Sequence, residues 1–351
     1  MEENKKMPAT IKVNSYSIKI QHGLIARLGI EILRLNEDID NEILLITDEK
    51  VSELYLQQVI MNFQECPKPE GTRFRICELL IESGETAKNF NTVSKLLEEM
   101  AQLGLSKKCC VVALGGGVVC DAASWAAGCY MGGVKLILVP TTLAAMIDFS
   151  VGGSAFLNLN AGKNLAGMSC NPSLVLCDTD CLKTLNPEEY KSGIAEAFKL
   201  AVMCGESLFR IFERGEVSTN IEKIIEDCIK FRAGLGGLTR AKCIGWEIGN
   251  AIESLSGYEI KHGSALCEGL QIILNASYKK NFCDEETFNR IINAMKKNNL
   301  FVKGRSFKPE LIAGSISGNE FELTFPCEIG KYRIEKIKAS ELESIISLGM
   351  S

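Results

Sequence analysis

The sequence predicts an α/β protein in which an N-terminal Rossmann-like domain with a parallel sheet precedes a mainly helical C-terminal domain. Three observations favour this fold class. Short apolar runs in the first half end in glycine or polar residues, segments of helical spacing separate them, and helical spacing alone continues after Pro187. The change of pattern near residues 180–188 predicts domains of 1–183 and 184–351.

Four apolar runs have the length and the residue types of buried parallel strands. They cover residues 42–47, 109–114, 134–139 and 174–177. Residues 91–103 lie between the first two runs and have helical spacing, which gives a β-α-β alternation. We therefore expect an open parallel sheet that binds ligands beyond the carboxyl ends of its strands.

The second half of the chain has the apolar spacing of helices at residues 188–214, 221–232 and 244–255. Three glycines within residues 234–237 interrupt this spacing and predict a loop. This half is therefore expected to be mainly helical.

Composition limits the possible functions. Charged residues form 24% of the 351-residue chain and hydrophobic residues 46%, as in a folded globular protein. The formal net charge of −5 comes without a basic stripe for nucleic acid, so the expected partner is a small-molecule substrate. Residues 1–19 do not resemble a signal peptide, and no run of about 18 apolar residues follows. We expect a cytoplasmic protein with no membrane partner.

Cysteine and histidine counts restrict the kind of metal site. The fifteen cysteines are dispersed through apolar runs and form no CxxC pair, which favours reduced core thiols over disulfides or a zinc ribbon. His22 and His262 are the only histidines. A site that needs several imidazoles is therefore excluded.

A glycine-rich loop follows the second apolar run. Gly115, Gly116 and Gly117 stand between Leu114 and the apolar helical stretch that begins near Val118. Glycines there let backbone N–H groups approach a pyrophosphate, and a helix N-terminus favours an anion. A tight turn between strand and helix selects the same residues, so the loop alone leaves both interpretations open.

Several blocks of sequence resemble the 3-dehydroquinate synthase family of sugar phosphate cyclases. They are GGGVVCDAASWAAGCYMGGV, VPTTLAAMIDFSVGGSAFLNLNAGKNLAG, LCDTDCLKTLNPEEYKSGIAEAFK and KHGSALCEG, in the family's order, over roughly residues 42–275. The resemblance implies an NAD-binding N-terminal domain and a helical domain that carries zinc and most catalytic groups. The family's activity is that of an NAD-dependent lyase of the shikimate pathway of aromatic amino acid biosynthesis, which eliminates phosphate from a seven-carbon sugar acid phosphate and closes a carbocycle.

The resemblance also implies the residues that bind NAD. Asp48 would meet the adenosine ribose, Glu85 and Lys88 would meet the nucleotide half, and the glycine loop would hold the pyrophosphate. The full implied set is Asp48, Glu85, Lys88, Gly115, Gly116, Gly117, Val118, Asp121, Thr141, Thr142 and Lys163.

The family's metal ligands are one glutamate and two histidines. Glu196 and His262 match two of these positions, but Trp246 stands at the third and Asn250 replaces a further histidine of the same block. An indole has no lone pair to give a metal. We expect Zn²⁺ to bind weakly or not at all.

The catalytic residues implied by the resemblance are partly retained. Asp148, Asn164 and Lys199 match, and Arg232 stands where a substrate-binding lysine is expected. Cations of the family that grip phosphate and carboxylate are absent, because Gly132 and Ser154 occupy their positions, and Cys243 replaces an asparagine of the family's site. The site thus differs from that of its relatives in both its metal ligands and its anion contacts.

Three functions remain open from the sequence. The first is an NAD-dependent cyclase or lyase with an altered site, and the second is an inactive homologue that binds NAD and acts as a partner or regulatory protein. The third is a polyol dehydrogenase with the plan of the iron-containing alcohol dehydrogenases, although those also use histidines that this chain lacks. The resemblance further implies a homodimer. The apolar run at residues 136–139 is consistent with either a dimer interface or a buried strand.

Overall fold

A computed structural model describes residues 8–35, 37–66, 71–160, 162–235, 243–316 and 318–351. The chain divides into two compact units, Met1–Leu185 and Asn186–Ser351. Residues 236 and 237 of the predicted glycine loop lie outside the described part of the chain.

A seven-stranded sheet forms the centre of the first unit, with strand order β1-β2-β9-β6-β5-β3-β4. Only β1 runs antiparallel to its neighbour, and the other adjacent pairs are parallel. The strands are β1 (Ala9–Val13), β2 (Tyr16–Gln21), β3 (Glu42–Asp48), β4 (Arg75–Ile81), β5 (Cys110–Gly115), β6 (Lys135–Pro140) and β9 (Leu174–Asp178).

The central strands are apolar because both faces of the sheet are covered. Every residue of β5 and of β9 is buried, as is all of β6 after Lys135. All four strands predicted from the sequence are present, with ends that differ by at most one residue. Residues 136–139 are therefore buried within the sheet and are not available for a dimer interface.

Five α-helices connect the strands of the first unit in the described residues. They are α1 (Leu28–Leu33), α2 (Glu49–Val51), α3 (Gln57–Glu65), α4 (Phe90–Gln102) and α5 (Gly117–Cys129). Asp48 starts α2 and Asn89 starts α4, because each side chain accepts a hydrogen bond from a backbone N–H of the first turn. The predicted helix at residues 91–103 corresponds to α4.

A separate hairpin completes this unit. Strand β7 (Ser154–Leu159) pairs antiparallel with β8 (Gly162–Ser169), outside the large sheet. The hairpin lies against α5, where the Phe156 N–H donates to Asp121 Oδ1 at 3.2 Å.

The second unit is mainly helical. Its helices are α6 (Pro187–Cys204), α7 (Glu206–Arg214), α8 (Ile221–Gly234), α9 (Trp246–Leu255), α10 (His262–Lys279), α11 (Glu285–Lys297), α12 (Pro309–Ser315) and α13 (Ala339–Met350). Strands β10 (Glu320–Glu328) and β11 (Lys331–Lys338) add an antiparallel pair. A parallel sheet followed by a helical unit confirms the predicted fold class.

The helical run predicted at residues 188–214 is broken into α6 and α7. Gly205 stands between them with φ +126°, a conformation that favours glycine. A Cβ at Gly330 would lie 2.8 Å from the Gly205 Cα, and the Gly330 N–H donates to Val202 O at 2.9 Å. The break therefore accommodates the turn between β10 and β11.

Helix α10 is the centre of this unit, and glycines bring it close to α9. A Cβ at Gly269 would lie 2.4 Å from the Gly245 carbonyl oxygen, and one at Gly249 would lie 2.9 Å from the Leu266 Cα. The two backbones are thus nearly in contact.

No helix in the described part of the chain is long and apolar enough to span a membrane. All fifteen cysteines are free thiols. Burial raises the pKa of Cys109 to about 11 and that of Cys181 to about 12, so these thiols stay protonated at neutral pH.

Candidate functional site

The glycine loop joins β5 to the N-terminus of α5. Gly116 is the N-cap residue of α5, and no side chain caps the helix there. The first backbone N–H groups of a helix have no acceptor within it, and the helix dipole favours an anion at that end. The loop therefore fits a pyrophosphate group such as that of NAD.

Each glycine of the loop has its own surroundings. A Cβ at Gly115 would lie 2.5 Å from Val119 Cγ2, so close packing alone requires that glycine. A Cβ at Gly116 would meet Thr142 Cγ2 at 3.1 Å, and one at Gly117 would meet the Phe149 ring at 3.1 Å. Gly116 and Gly117 carry no side chain of their own at the N-terminus of α5, and the Thr142 and Phe149 side chains pack against them.

The carboxyl ends of neighbouring strands place further predicted residues at this edge of the sheet. The Thr141 N–H, after β6, donates to Gly115 O at 3.0 Å. Thr141 Oγ1 is buried and has no hydrogen-bond partner among the described residues. Asp48 Oδ1, after β3, accepts from Lys50 N and Val51 N at 3.0 Å each and from Ser83 Oγ at 3.2 Å. Asp48 is thus held as a helix cap.

Two pairs of predicted charged residues are bound to each other beside the hairpin. Lys88 is 1% exposed, and its Nζ lies 2.5 Å from Asp121 Oδ2 and 2.6 Å from Asn164 Oδ1. Lys163 Nζ lies 3.6 Å from Glu85 Oε1. The structure therefore brings five of the residues predicted from the sequence into one polar network.

Asn158, which the sequence analysis does not single out, connects this network. Its Nδ2 donates to Glu85 Oε1 at 3.0 Å, its N–H donates to Lys88 O at 2.9 Å, and its Oδ1 accepts from Asn164 N at 2.9 Å. Asn158 lies at an irregularity of β7, and its contacts with Glu85 and Lys88 join segments about 70 residues apart, so no local pattern in the sequence indicates its role.

Both retained metal-ligand positions lie in a second network, in the helical unit. Glu196 Oε2 accepts from Lys199 Nζ at 2.5 Å, and Glu196 Oε1 lies 2.8 Å from His262 Nε2. His262 Nδ1 lies 2.8 Å from Glu253 Oε2. Glu253 on α9 is a further member that the sequence analysis does not identify. Glu196 and Lys199 are at most 1% exposed.

The two cations determine the ionisation of Glu196. Burial alone would raise its pKa, but the Lys199 ammonium and then the His262 ring outweigh burial and hold the pKa well below the usual carboxyl range. Glu196 is therefore a carboxylate whose charge is balanced within the protein.

These residues do not fit a structural or catalytic zinc site. In the part of the chain that the structure describes, no three His, Cys, Asp or Glu side chains are grouped so that they could hold a metal ion. Trp246 is the first residue of α9 and lines a small cavity with Cys243 and Glu247. Cys267 is buried, and burial raises the pKa of its thiol to about 12.

The remaining predicted catalytic residues are on other elements of the chain. Asp148 is buried in a π-helical turn, Ala145–Phe149, of the first unit. Arg232 is on α8, where its Nη1 lies 3.9 Å from Cys243 Sγ. Gly132 stands at the position of a family cation that this chain lacks. The Lys107 side chain reaches the turn that contains Gly132, where its Nζ donates to the Met131 carbonyl at 2.8 Å.

Two domain families of known proteins match consecutive parts of the chain. The 3-dehydroquinate synthase N-terminal family matches residues 78–192, and the 3-dehydroquinate synthase C-terminal family matches residues 193–318. The 3-dehydroquinate synthase of Alkaliphilus metalliredigens is 34% identical over 313 residues, which are 84% of this chain and 83% of the relative. That of Prochlorococcus marinus strain SARG is 29% identical over 98% of this chain and 99% of the relative.

Solved structures show the same fold. A 2-deoxy-scyllo-inosose synthase complexed with carbaglucose-6-phosphate, NAD⁺ and Co²⁺ has a TM-score of 0.81 at 21% identity, covering 96% of this chain and 99% of the other. The 2-epi-5-epi-valiolone synthase of Streptomyces hygroscopicus subsp. jinggangensis, with NAD⁺ and Zn²⁺ bound, has a TM-score of 0.80 at 22% identity, covering 98% of this chain and 99% of the other. With both family matches on the same chain, the protein belongs to the 3-dehydroquinate synthase family of sugar phosphate cyclases, as a divergent member.

Proposed function

We propose that this protein binds NAD on its first unit and has lost the zinc-dependent cyclase reaction of its family. The observation that carries the proposal is the network around Glu196. Lys199 Nζ binds one carboxylate oxygen at 2.5 Å and His262 Nε2 lies 2.8 Å from the other. Trp246 stands at the third ligand position of the family, and its indole has no lone pair for a metal.

NAD binding is supported by the open N-terminus of α5. Gly116 and Gly117 would receive the pyrophosphate, Asp48 the ribose, and Val118, Thr141 and Thr142 would line the site. The Lys88–Asp121 pair and the Glu85–Lys163 pair would position the hairpin beside the cofactor. When bound, NAD would supply a hydride acceptor. The residues of this chain would bind it and exclude water.

Recognition of the family's substrate is weakened by the missing cations. Each charge-assisted contact to phosphate or carboxylate contributes roughly 1.5–3 kcal/mol. Ser154 cannot replace an ammonium group, and the Lys107 ammonium near Gly132 is bound to the Met131 and Gly133 carbonyls. Two such losses would weaken binding by a factor of about 100 or more. Asp148, Asn164, Lys199 and Arg232 remain as candidates for contact with another small molecule.

Two features favour the second function left open by the sequence, an inactive homologue that acts as a partner or regulatory protein. They are the retained residues for NAD and the presence of Trp246 at a metal-ligand position. We expect it to work in the cytoplasm as a homodimer. A cyclase or lyase with an altered site is the alternative. Phosphate release distinguishes the two.

The first test is calorimetric titration with NAD. The parent protein should bind NAD, and Gly116→Val should abolish binding because the added side chain would stand where the pyrophosphate approaches the backbone. The control is Gly314→Val, at an exposed helical position of the second unit with nothing within 4 Å of a Cβ. Equal affinity of parent and Gly116→Val, or no binding by the parent, would show that the site is assigned wrongly.

The second test measures metal and turnover separately. Elemental analysis of the purified protein should find no stoichiometric zinc, and the seven-carbon sugar acid phosphate should release no phosphate with NAD and added Zn²⁺ present. Turnover at an enzymatic rate would establish the alternative, a cyclase or lyase with an altered site. NAD binding without turnover supports the proposal as a whole.

A further inference from the structure

A cavity of ≈ 550 Å³ opens in the second unit, away from the Glu196 network. It lies beside α10 and α11 and the segment that follows α11. Its volume is within the range of roughly 300–1,000 Å³ that is usual for small-molecule sites. Its apolar wall is formed by Phe288, Ile292, Phe301 and Met350.

Hydrogen bonds hold the wall of this cavity in place. Gln271 on α10 accepts from Val302 N at 2.7 Å and donates to Val302 O at 3.2 Å. Glu268, one turn earlier and buried, accepts from Ser306 N at 2.8 Å and from Ser306 Oγ at 2.6 Å. The segment that carries residues 302–306 is thus fixed to α10 at both ends, and the cavity is formed before any ligand arrives.

The ionisable residues that line the cavity are both cations. Lys303 is exposed and Arg305 is half-buried, and neither forms an ion pair with a carboxylate in the described chain. Arg305 Nη1 donates to Gly304 O at 2.9 Å, while its Nε is shielded from water and has no hydrogen-bond partner among the described residues. Lys296 adds a third cation, with its Nζ 5.3 Å from the centre of the Phe301 ring.

Glu268 is the acidic residue whose carboxylate binds this segment. Each of its oxygens accepts a hydrogen bond from Ser306, and Glu268 does not line the cavity. The protein as a whole is acidic, with a formal net charge of −5, so a local cluster of unpaired cations beside an apolar cavity is a distinct feature.

We propose that this cavity binds a small amphipathic anion, whose apolar body lies against Phe288 and Phe301 and whose carboxylate is bound by Arg305 and Lys303. A guanidinium presents two parallel donors to a carboxylate and is suited to that role. None of these residues belongs to the proposed NAD site or to the Glu196 network. The two sites can therefore be tested independently.

Calorimetry with three probes of the same shape tests the proposal. 4-Phenylbutyrate should bind to the full-length protein, whereas 4-phenylbutan-1-ol and 4-phenylbutylamine, which lack the negative charge, should bind at least tenfold more weakly. Hydrogen exchange should show protection at residues 301–306 when the acid is present. Equal binding of all three probes, or no binding of the acid at millimolar concentration, would overturn the proposal.

Two variants assign the binding to this cavity. Arg305→Gln should weaken the binding of 4-phenylbutyrate about tenfold or more. Ile292→Trp should block binding, because the larger side chain would occupy the space beside the apolar wall. Lys331→Gln, at an exposed cation of the same unit, is the control and should leave affinity unchanged. The thermal unfolding of each variant is compared with the parent, and unchanged affinity in a folded Arg305→Gln protein would contradict the assignment.

Discussion

At the scale of single residues, the Glu196 carboxylate shows how a charge is kept in a buried position. Glu196 and Lys199 are almost fully buried, and a buried charge without a partner is strongly destabilising, by about 3–5 kcal/mol. Lys199 and His262 supply the positive charge, and Glu253 in turn binds the other side of the His262 ring. Both oxygens of the Glu196 carboxylate therefore have a partner within the second unit.

Restoring an imidazole at position 246 should raise the affinity for zinc. Trp246→His would add the ligand type that relatives use beside Glu196 and His262, and a third protein ligand strengthens zinc binding by orders of magnitude. Zinc titration with a competing chelator measures the effect. Trp125→His, in the first unit, is the matched control, and equal zinc affinity of both variants would show that position 246 does not face the Glu196 network.

Glu247, the neighbour of Trp246, should make stability depend on pH. Burial raises its pKa from 4.5 to about 7, so the carboxylate is disfavoured in the folded state. The sign follows from linkage. The contribution of Glu247 to the free energy of unfolding is fully present below pH 4.5 and is lost as the pH rises to about 7. Above pH 7 it does not change further. Glu247→Gln should raise the free energy of unfolding at pH 8 by about 1–2 kcal/mol after allowance for solvent screening.

Urea unfolding at pH 8 and at pH 4.5 checks this expectation. The gain should vanish at pH 4.5, where both forms of the protein carry an uncharged side chain at position 247. Glu343→Gln on α13 replaces an exposed glutamate and should show no such difference. A gain that is the same at both pH values would mean that the carboxylate is not the cause.

The sequence identifies site residues where motif and chemistry coincide, and it misses residues that act by position. Glu196, Lys199 and His262 were found in motifs and do meet in space. Asn158 was missed because it links segments about 70 residues apart. Glu253 was missed because an acidic residue in a helix is more often a surface group. The partners of a buried charge can be identified only when the fold is known.

At the scale of elements, the packing of α9 on α10 depends on glycine. Gly269→Ala would place a methyl group 2.4 Å from the Gly245 carbonyl oxygen and 2.7 Å from the Gly249 nitrogen. Neither backbone can move aside without separating the helices, so the free energy of unfolding should fall by about 2 kcal/mol or more. Gly314→Ala, on α12 with open space around it, should instead raise it by about 0.5–1 kcal/mol.

Denaturant unfolding of the two alanine variants measures both effects under one condition. The opposite signs separate steric contact from helix propensity, since both variants make the same change inside a helix. A stabilising Gly269→Ala would show that the α9–α10 contact is looser than described.

The elements that could be predicted are those with strong periodic patterns. The buried strands β3, β5, β6 and β9 are continuous apolar runs and were recognised. Strand β1 alternates half-buried with exposed residues, β2 alternates buried with half-buried residues, and neither was recognised. The hairpin β7–β8 was also missed, because its strands are rich in glycine, asparagine and alanine. The break at Gly205 depends on Gly330, about 125 residues later, and no local pattern reports it.

At the scale of the whole molecule, a homodimer remains a prediction of family membership. Light scattering at micromolar concentration should give twice the chain mass of 38.5 kDa. Residues 136–139 are buried, so an interface on the first unit would need exposed apolar residues such as Leu159 and Leu165 on the hairpin. Leu159→Arg with Leu165→Arg should shift the protein to monomer, and Leu311→Arg, exposed on the second unit, should not. A monomeric parent protein would contradict the prediction.

The order of strands in the large sheet also bears on how the chain is made. Strand β2 pairs with β1 and with β9, so about 150 residues separate Gln21 from its partner Asp178. Ribosomes add about 5–20 residues per second. The edge of β2 that pairs with β9 therefore stays unpaired for roughly ten to thirty seconds of synthesis. Asp178 also accepts hydrogen bonds from the Gly23 and Ile25 N–H groups, so these two hydrogen bonds are absent for the same time. During that interval the nascent chain presents an open strand edge to chaperones and to other nascent chains.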